Sequence, residues 1–342
     1  MTTQVQGVTF SYSHTIGRGE AAGTGFTYPV AMARGNEDLM YVLSRSYESR
    51  PNSMRITICT VGEDYIGEFA KGSPARNEAP YPDALVWPTS IALDRDGNVY
   101  VVDDWLNCVS IFAGDGDPID RWGAAGSGDG KLNGPSSIAF DGEDNLYLVD
   151  SGNNRIQKFT KDGQFLAKWG QPGSGDGEFN LPWGIDIDTN GDVYVADWRN
   201  DRIQKFTHDG QFLMKFGSAG SDEGEFNRPT GVAVDEDGII YVTDWGNDRL
   251  QVFDAEGRFI TKMAGDSTVS KWGKTKLDAN PDMWKEREVA QGLDREKLFW
   301  GPIAVEVDHQ RHIFVVESAR NRIQVYRKYD PIFLSLYDGG RL

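Results

Sequence analysis

The sequence predicts an all-β protein, a six-bladed β-propeller of four-stranded antiparallel blades, and three observations carry that prediction. A related segment recurs six times along the chain, each copy alternates apolar and polar residues, and turn-forming residues punctuate it, with 40 Gly and 14 Pro among 342 residues. Alternation of period two is typical of strands rather than helices. Four short strands in a repeat of about 45 residues are the pattern of a propeller blade.

Three copies of the repeat nearly superimpose. They are GPSSIAFDGEDNLYLVDSGNNRIQKF from Gly134, LPWGIDIDTNGDVYVADWRNDRIQKF from Leu181 and RPTGVAVDEDGIIYVTDWGNDRLQVF from Arg228. Clear variants begin at Trp87 and Gly301, and a degenerate copy begins at Tyr28. Stretches such as GVAVD, IIYVTD and RLQVF predict three strands, and FLAKWG, FLMKFG or FITKMAG predicts the fourth. We number the blades 1 to 6 from Tyr28.

The two ends of the repeat region complement each other. Residues around Phe10 to Gly17 resemble a fourth strand that lacks its first three, whereas Gly301 to Tyr326 supply three strands without a fourth. We therefore expect the N-terminal strand to complete blade 6 and close the ring, which removes exposed sheet edges. This predicts one domain over residues 1–327 and a C-terminal tail over 328–342. The apolar cluster of that tail, Ile332 to Leu334, either packs on the ring or contacts another subunit.

The repeats resemble the NHL-repeat family, through the motifs P-x-G-[IV]-A-[VL]-D, [IV]-Y-V-x-D and N-x-R-I-Q-x-F, over almost the whole chain. The resemblance implies a six-bladed propeller. Within this family, peptidyl-α-hydroxyglycine α-amidating lyases hold zinc through histidines that directly follow the first proline of several blades. Those positions here are Val30, Thr89, Ser136, Trp183, Thr230 and Ile303. Because none is histidine, the resemblance to these lyases stays at the level of the fold, and we do not expect zinc.

Three insertions interrupt the repeat. Relative to blades 3 and 4, they add 6 residues between Pro29 and Arg55, 6 between Arg55 and Pro88, and 26 between Arg249 and Pro302. All fall in the loops between strands 2 and 3 or in the linkers between blades, which share one face of a propeller. We call this the inserted-loop face. It is the candidate working face, because loops on a rigid scaffold commonly carry function.

The longest insertion, about 266–299, predicts a short helix over Pro281 to Gln291. Asn280 can cap this helix, and Pro281 suits its first position. We expect Met283, Trp284 and Val289 to face the ring. The helix forms either a lid over or beside the mouth of the central channel, or packing between blades 5 and 6.

Five blades carry an acid at the end of strand 2: Asp103, Asp150, Asp197, Asp244 and Glu317. A ring of carboxylates suits calcium or a general base. Alternatively, an arginine five residues on, present in four of these blades, forms a pair that holds the loop. Blade 2 has Cys108 in the arginine position and a second acid, so Asp103 and Asp104 are the predicted catalytic residues unless Arg55 pairs across the blades.

Tryptophans and arginines are concentrated in the same loops. With the acids they make up the predicted ligand-binding set: Trp105, Trp183, Asp197, Trp198, Arg199, Asp244, Trp245, Trp284, Trp300, Glu317, Arg320 and Arg45. Flat aromatic walls beside carboxylates suit a cationic, aromatic or sugar-like ligand. The arginines suit an anion instead, and tryptophans wedged between blades are the structural alternative.

The composition narrows the class of partner. The chain has 35 Lys and Arg against 52 Asp and Glu, a formal net charge of −17, which argues against binding nucleic acid or an anionic membrane. No apolar run approaches the roughly 20 residues of a membrane span. The two cysteines, Cys59 and Cys108, form no CxxC motif, and we expect a cytoplasmic protein.

Together these features predict binding of a small organic ligand on the inserted-loop face, with lyase or hydrolase chemistry by carboxylates. The alternative is a non-catalytic scaffold for a protein or peptide, since a fold does not determine function. A closed pocket under residues 280–298 favours a small molecule, whereas a broad apolar rim favours a protein.

Overall fold

The computed structural model describes residues 2–5, 8–46, 53–72 and 84–329. Six antiparallel sheets correspond to the six predicted blades. The two six-residue insertions predicted around blade 1 fall largely at 47–52 and 73–83, outside the described residues. Of the predicted tail over 328–342, residues 328 and 329 belong to the last strand of blade 6, and residues from 330 on, with Ile332 to Leu334, lie outside the described residues.

Strands run in chain order from the central channel to the outer edge of each blade. Blade 1 holds β3 (Pro29–Arg34), β4 (Leu39–Ser44), β5 (Arg55–Thr60) and β6 (Tyr65–Phe69). Blade 2 holds β7 (Pro88–Leu93), β8 (Val99–Asp103), β9 (Cys108–Phe112) and β10 (Pro118–Trp122). Blade 3 holds β11 (Pro135–Phe140), β12 (Asn145–Asp150), β13 (Arg155–Thr160) and β14 (Phe165–Trp169).

Blades 4 and 5 follow the same order, whereas the two outer strands of blade 6 come from the N-terminus. Blade 4 holds β15 (Ile185–Ile187), β16 (Val193–Asp197), β17 (Arg202–Phe206) and β18 (Phe212–Phe216). Blade 5 holds β19 (Pro229–Val234), β20 (Ile240–Asp244), β21 (Arg249–Phe253) and β22 (Phe259–Met263). Blade 6 holds β23 (Pro302–Val307), β24 (His312–Glu317), β25 (Arg322–Tyr329), β2 (Val8–Ile16) and β1 (Thr2–Val5).

Blade 6 joins the two ends of the chain, which confirms the predicted closure. Strand β2 pairs antiparallel with β25 from Thr9 opposite Tyr329 to Ile16 opposite Ile323. Strand β1, which the sequence did not predict, pairs with β2 and adds a fifth, outermost strand. The closing strand therefore belongs to the same ladder as the C-terminal end of the repeats.

The hydrophobic core lies between neighbouring blades. In one cluster, Tyr194 and Ile203 of blade 4 pack with Val232 and Phe253 of blade 5, and all four side chains are buried. Alternation places one set of side chains of each sheet against one neighbouring blade and the other set against the next. Burial on both faces explains why the middle strands are almost wholly apolar.

The insertion between blades 5 and 6 folds as three helices: α1 (Lys271–Asp278), α2 (Pro281–Val289) and α3 (Leu293–Lys297). Only α2 was predicted, and the Asn280 side chain caps it as expected. Val289, predicted to face the ring, is 80% exposed, so that prediction is wrong. Met283 and Trp284 are half-buried, and Trp272 of α1 is the residue that enters the core.

The helical insertion fastens the closing strand. The Glu63 carboxylate in blade 1 accepts hydrogen bonds from the backbone N–H groups of Gly17 (2.7 Å), just after β2, and Trp272 (3.0 Å), at the start of α1. The ring of Trp272 packs edge-on against Phe26, with centroids 5.7 Å apart. Contacts of Thr268 with Tyr12 of β2 complete the attachment. The insertion therefore spans the junction between blades 6 and 1.

Candidate functional site

In blades 2 to 6, the acid at the end of the second strand lies at the inserted-loop face and holds a loop there. In blade 3, Arg155 Nε donates to Asp150 at 2.7 Å, and Gln157 donates to the same carboxylate at 3.1 Å. The Arg155 guanidinium also donates to three carbonyls of the incoming linker, those of Ser127, Gly128 and Lys131. Asp150 is fully buried. The predicted Asp–Arg pair is thus a clamp between a blade and the linker that enters it.

The same clamp occupies three acids of the predicted ligand-binding set. Asp197 pairs with Arg202 at 2.8 Å, Asp244 with Arg249 at 2.7 Å and Glu317 with Arg322 at 2.6 Å. Burial raises the pKa of each of these acids, and the hydrogen bonds to them oppose the shift. The structure corrects the sequence interpretation here, because fully buried carboxylates with these partners do not face a ligand.

Blade 2 fastens its loop through backbone amides. Asp103 is fully buried and accepts hydrogen bonds from the backbone N–H groups of Val86 (2.7 Å), Trp87 (3.0 Å) and Leu106 (2.9 Å). Burial raises the pKa of Asp103, and these amides oppose the shift. The argument that singled out Asp103, that blade 2 does not need it for its own loop, is therefore wrong.

Blade 2 has no arginine in the third strand to pair with Asp103, and Arg121 rather than Arg55 compensates for it. Arg121 of β10 donates to the Ala84 carbonyl at 2.8 Å and so holds the linker in place of the absent strand-3 arginine. Arg55 pairs with Glu68 of its own blade, with Nε 3.0 Å from the carboxylate, rather than across to Asp103.

Asp104, the second predicted catalytic acid, is half-buried beside Arg45. Burial and the charge of Asp103 raise the pKa of Asp104, and the charge of Arg45 opposes them. The Arg45 guanidinium lies 4.6 Å from the Trp87 ring centroid and 5.3 Å from that of Tyr28. A catalytic role for Asp104 stays a prediction.

Arginines cover several tryptophans of the predicted set. Arg199 and Arg228 lie 5.4 and 5.1 Å from the ring centroid of Trp198, and Arg320 lies 5.3 Å from that of Trp300. Trp183 packs against Trp198 with centroids 6.2 Å apart. Since protein cations already contact these rings, the rings are poorly suited to a cationic ligand.

The other tryptophans of the set are dispersed. Trp105 and Trp245 are 59% and 38% exposed, and Trp284 donates through Nε1 to Asp278 at 3.0 Å within the insertion. The predicted set therefore divides into separate groups rather than one constellation.

A pocket of about 760 Å³ lies between the helical insertion and blades 6 and 1. Its walls come from the end of β2 (Thr15 to Gly19), from the insertion between Ser267 and Trp300, and from the loop of blade 6 between Ala319 and Arg322. The apolar part of the wall includes Val269, Leu277, Met283 and Leu293. Trp300 and Arg320 line this pocket, so two of the predicted residues meet there.

The central channel, of about 260 Å³, contains two acids that the sequence analysis missed. Asp186 of β15 and Glu306 of β23 both line it, and Val234 N donates to Asp186 at 2.7 Å. Burial raises the pKa of Asp186 to about 7. Burial and then the charge of Asp186 raise the pKa of Glu306 well above its ordinary value.

A sequence signal for this pair does exist. The fourth residue after the first proline of each blade is alanine in four blades, Ala33, Ala92, Ala139 and Ala233, and an acid in the other two. This signal lies in the first strand of each blade, whereas the acids predicted to be functional lie at or just after the end of the second strand.

No group of three or more His, Cys, Asp or Glu side chains that could hold a metal ion occurs in the part of the chain that the structure describes. Within the same ranges, no helix has the length and apolar character needed to cross a membrane. The predicted absence of zinc and the calcium alternative both stay predictions.

Segments of the chain match two families of repeats. Residues 132–159, 179–206 and 226–253 match the NHL repeat, and residues 65–102 match a family described as a beta-propeller repeat. The protein carries NHL repeats on a six-bladed β-propeller. The three NHL matches fall in blades 3, 4 and 5, where the clamp is most regular. No curated protein matches this NHL-repeat chain.

Solved structures similar to this NHL-repeat propeller include a streptogramin B lyase, with 12% identity, a TM-score of 0.57, and coverage of 94% of this chain and 98% of that one. A Bacteroides thetaiotaomicron protein of unknown function has 20% identity, a TM-score of 0.61, and coverage of 94% and 76%. An inactive virginiamycin B lyase from Staphylococcus aureus with quinupristin has 12% identity, a TM-score of 0.57, and coverage of 93% and 99%. At these identities the likeness shows the fold alone.

Proposed function

We propose that this NHL-repeat propeller binds a small organic ligand on its inserted-loop face, in the pocket beneath the helical insertion. The observation that carries the proposal is the pocket itself, whose volume of about 760 Å³ is within the range of small-molecule sites, roughly 300–1,000 Å³. Apolar side chains such as Val269 and Leu293 line the pocket together with charged side chains. A protein-binding scaffold would instead present a broad apolar surface.

A plugging variant tests this function. Ala319 lines the pocket, so Ala319→Trp should fill part of it, whereas Ala255→Trp adds the same side chain to an exposed turn of blade 5. Ligand-observed NMR with a panel of small organic compounds should detect binders of the parent. We expect Ala319→Trp to lose them and Ala255→Trp to retain them. Equal binding by both variants would contradict the pocket as the site.

The central channel supports a second candidate function, carboxylate-based lyase or hydrolase chemistry. Asp186 and Glu306 line one cavity, and the described residues provide no hydrogen-bond donor to the Glu306 carboxylate. A carboxyl group that titrates near neutral pH can take and return a proton, as a general base or acid must.

This second candidate has its own test. A panel of esters and lactones is assayed at neutral pH with the parent, Asp186→Asn and Glu306→Gln. Asp192→Asn, which changes an acid that pairs with Lys205 at 2.8 Å, serves as the control. Turnover lost in both channel variants and kept in the control supports the carboxylate chemistry. Turnover that survives both channel variants excludes it.

A further inference from the structure

The pocket under the helical insertion is strongly basic within an acidic protein. Six cationic side chains line it: Arg18, Lys276, Arg287, Lys297, Arg320 and Arg322. Glu296 is the one acid among the lining residues, although the whole chain has a net charge of −17. A cavity lined by one sign of charge concentrates ligands of the opposite sign.

Three carboxylates pair with four of these cations. Arg18 and Lys276 share Glu20, at 2.8 and 3.3 Å. Arg287 pairs with Glu296, and the buried Arg322 pairs with Glu317. Because two cations share one carboxylate, this part of the pocket wall keeps an excess of positive charge.

Lys297 and Arg320 add to that excess. Among residues 8–46, 53–72 and 84–329, no carboxylate lies within ion-pair distance of either side chain. Arg320 donates through one terminal nitrogen to the Arg295 carbonyl at 3.0 Å and stacks on Trp300. Arg320 is partly exposed, so its second terminal nitrogen can donate to an anion in the pocket.

We infer that the pocket binds a small organic anion, with its carboxylate or phosphate group at Arg18, Lys297 and Arg320 and its apolar body against Val269 and Leu293. This inference rests on the proposed function and adds the charge class of the ligand. It also resolves the choice between a cation and an anion that the sequence left open. The Trp300 ring, which lines the pocket, already contacts the Arg320 guanidinium, whereas that guanidinium retains N–H groups that can donate to an anion.

The test uses three probes that share a phenyl ring: the anions benzoate and phenyl phosphate, and benzamide, the neutral isostere of benzoate. Ligand-observed NMR and calorimetry compare their affinities for the full-length parent protein. We expect either or both anions to bind about tenfold more tightly than benzamide, because one charged hydrogen bond contributes a free energy of that order. We also expect the affinity of the anions to fall as sodium chloride is added. Benzoate binding alone identifies a carboxylate site, and phenyl phosphate binding alone identifies a phosphate site.

Substitutions of single cations test which of them bind the anion. Arg320→Gln and Lys297→Gln should each weaken anion binding about tenfold and leave benzamide binding unchanged. Lys285→Gln, in exposed α2 and outside the pocket wall, is the matched control and should bind like the parent. Melting curves verify that each variant is folded.

The outcomes separate the two proposals. If benzamide binds as tightly as the anions and Ala319→Trp abolishes all binding, the pocket is a ligand site and the inference of an anion is overturned. If the anions bind but Lys285→Gln weakens them as much as Arg320→Gln does, the assigned cations are wrong. If no probe binds and the wider compound panel finds no ligand either, the proposed function fails together with the inference.

Discussion

Blades 3 to 5 and blade 6 differ in the linker that each of them receives from the preceding blade. In blades 3 to 5, each linker is held by an arginine of the blade that it enters, as Arg155 holds the carbonyls of Ser127 and Lys131. In blade 6, Arg322 donates to the Ser267 hydroxyl at 2.7 Å and to the Leu298 carbonyl at 2.9 Å, near the two ends of the helical insertion that arrives from blade 5. The clamp is the same, but the chain between its two contacts is far longer.

This difference shows where the fold leaves room for function. The linkers into blades 3 to 5 are short, and several of their backbone carbonyls accept hydrogen bonds from the clamp arginine. The long linker is held at its ends, through Glu63 and Trp272, and at a few further points such as the Arg295 carbonyl, so its helices enclose the pocket rather than packing flat on the ring. We therefore expect stability to depend mainly on the repeats and ligand binding mainly on the helical insertion, and each expectation can be tested.

Removing the closing strand should have the largest effect. Deletion of residues 1–17 removes β1 and β2 and leaves β25 as an open edge. It also exposes the core residues that the buried side chain of Ile16 covers. We expect a melting temperature lower by more than roughly 10 °C, or insoluble protein. Deletion of residues 1–7 removes only the outermost strand and is the control. Full-length and 1–17-deleted proteins that melt together would refute closure by this strand.

Detaching the insertion should be nearly as damaging. Trp272→Ala empties a buried site against Phe26 and should cost about 3–5 kcal/mol in the free energy of unfolding. It should also weaken ligand binding, because α1 forms part of the pocket wall. Denaturant unfolding and the NMR panel measure the two effects. Unchanged binding in a folded Trp272→Ala protein would show that the pocket does not depend on this anchor.

Breaking a regular clamp should reduce stability without affecting the ligand. Asp150→Asn leaves a buried Arg155 without its counter-charge and should cost about 3 kcal/mol, since the pair is buried rather than exposed. Asp103→Asn places an amide group against backbone N–H donors and should cost about 2 kcal/mol. Both are measured by denaturant unfolding, with ligand binding kept. A clear loss of binding in Asp103→Asn alone would restore that residue to the site.

The smallest effect concerns the channel and depends on pH. The pKa of Asp186 is raised to about 7, so the folded protein binds a proton that the unfolded chain releases near pH 4. The part of the stability that this proton supplies is therefore lost as the pH rises from about 4 to 7. Asp186→Asn should lack that part of the loss, while Glu306 keeps its own, so the melting temperature of the variant should rise relative to that of the parent across this pH range. Parallel curves of melting temperature against pH would contradict the raised pKa.

Much of the fold was predictable because it depends on local pattern. Alternation within GVAVD or RLQVF defines strands, and the complementary ends of the repeat define closure. The Asp–Arg clamp was predictable for the same reason, as both residues recur at one spacing. Strand β1 and helices α1 and α3 were missed, since they lie outside the repeat and are defined by contacts with distant residues.

The site was harder to predict than the fold. Asp103 was predicted to be catalytic because blade 2 lacks the arginine that pairs with this acid in other blades. Arg121, from another strand, holds the linker instead, and comparison of the repeats does not reveal that replacement. Arg320 and Trp300 were identified, but their neighbours Arg18 and Lys276 come from segments about 300 and 40 residues away in sequence. Only the ring closure brings these residues together.

The sequence by itself determined the number of blades, the strands within each, the strand that closes the ring and the face that carries the long insertion. These follow from periodicity and from the matching of the two chain ends, which are properties of the order of residues. The tertiary structure alone decided which carboxylates are buried in clamps, which face the channel, and that six cations meet in one pocket. The physical reason is that burial and charge pairing depend on distances between segments remote in sequence, and those distances exist only once the ring has closed.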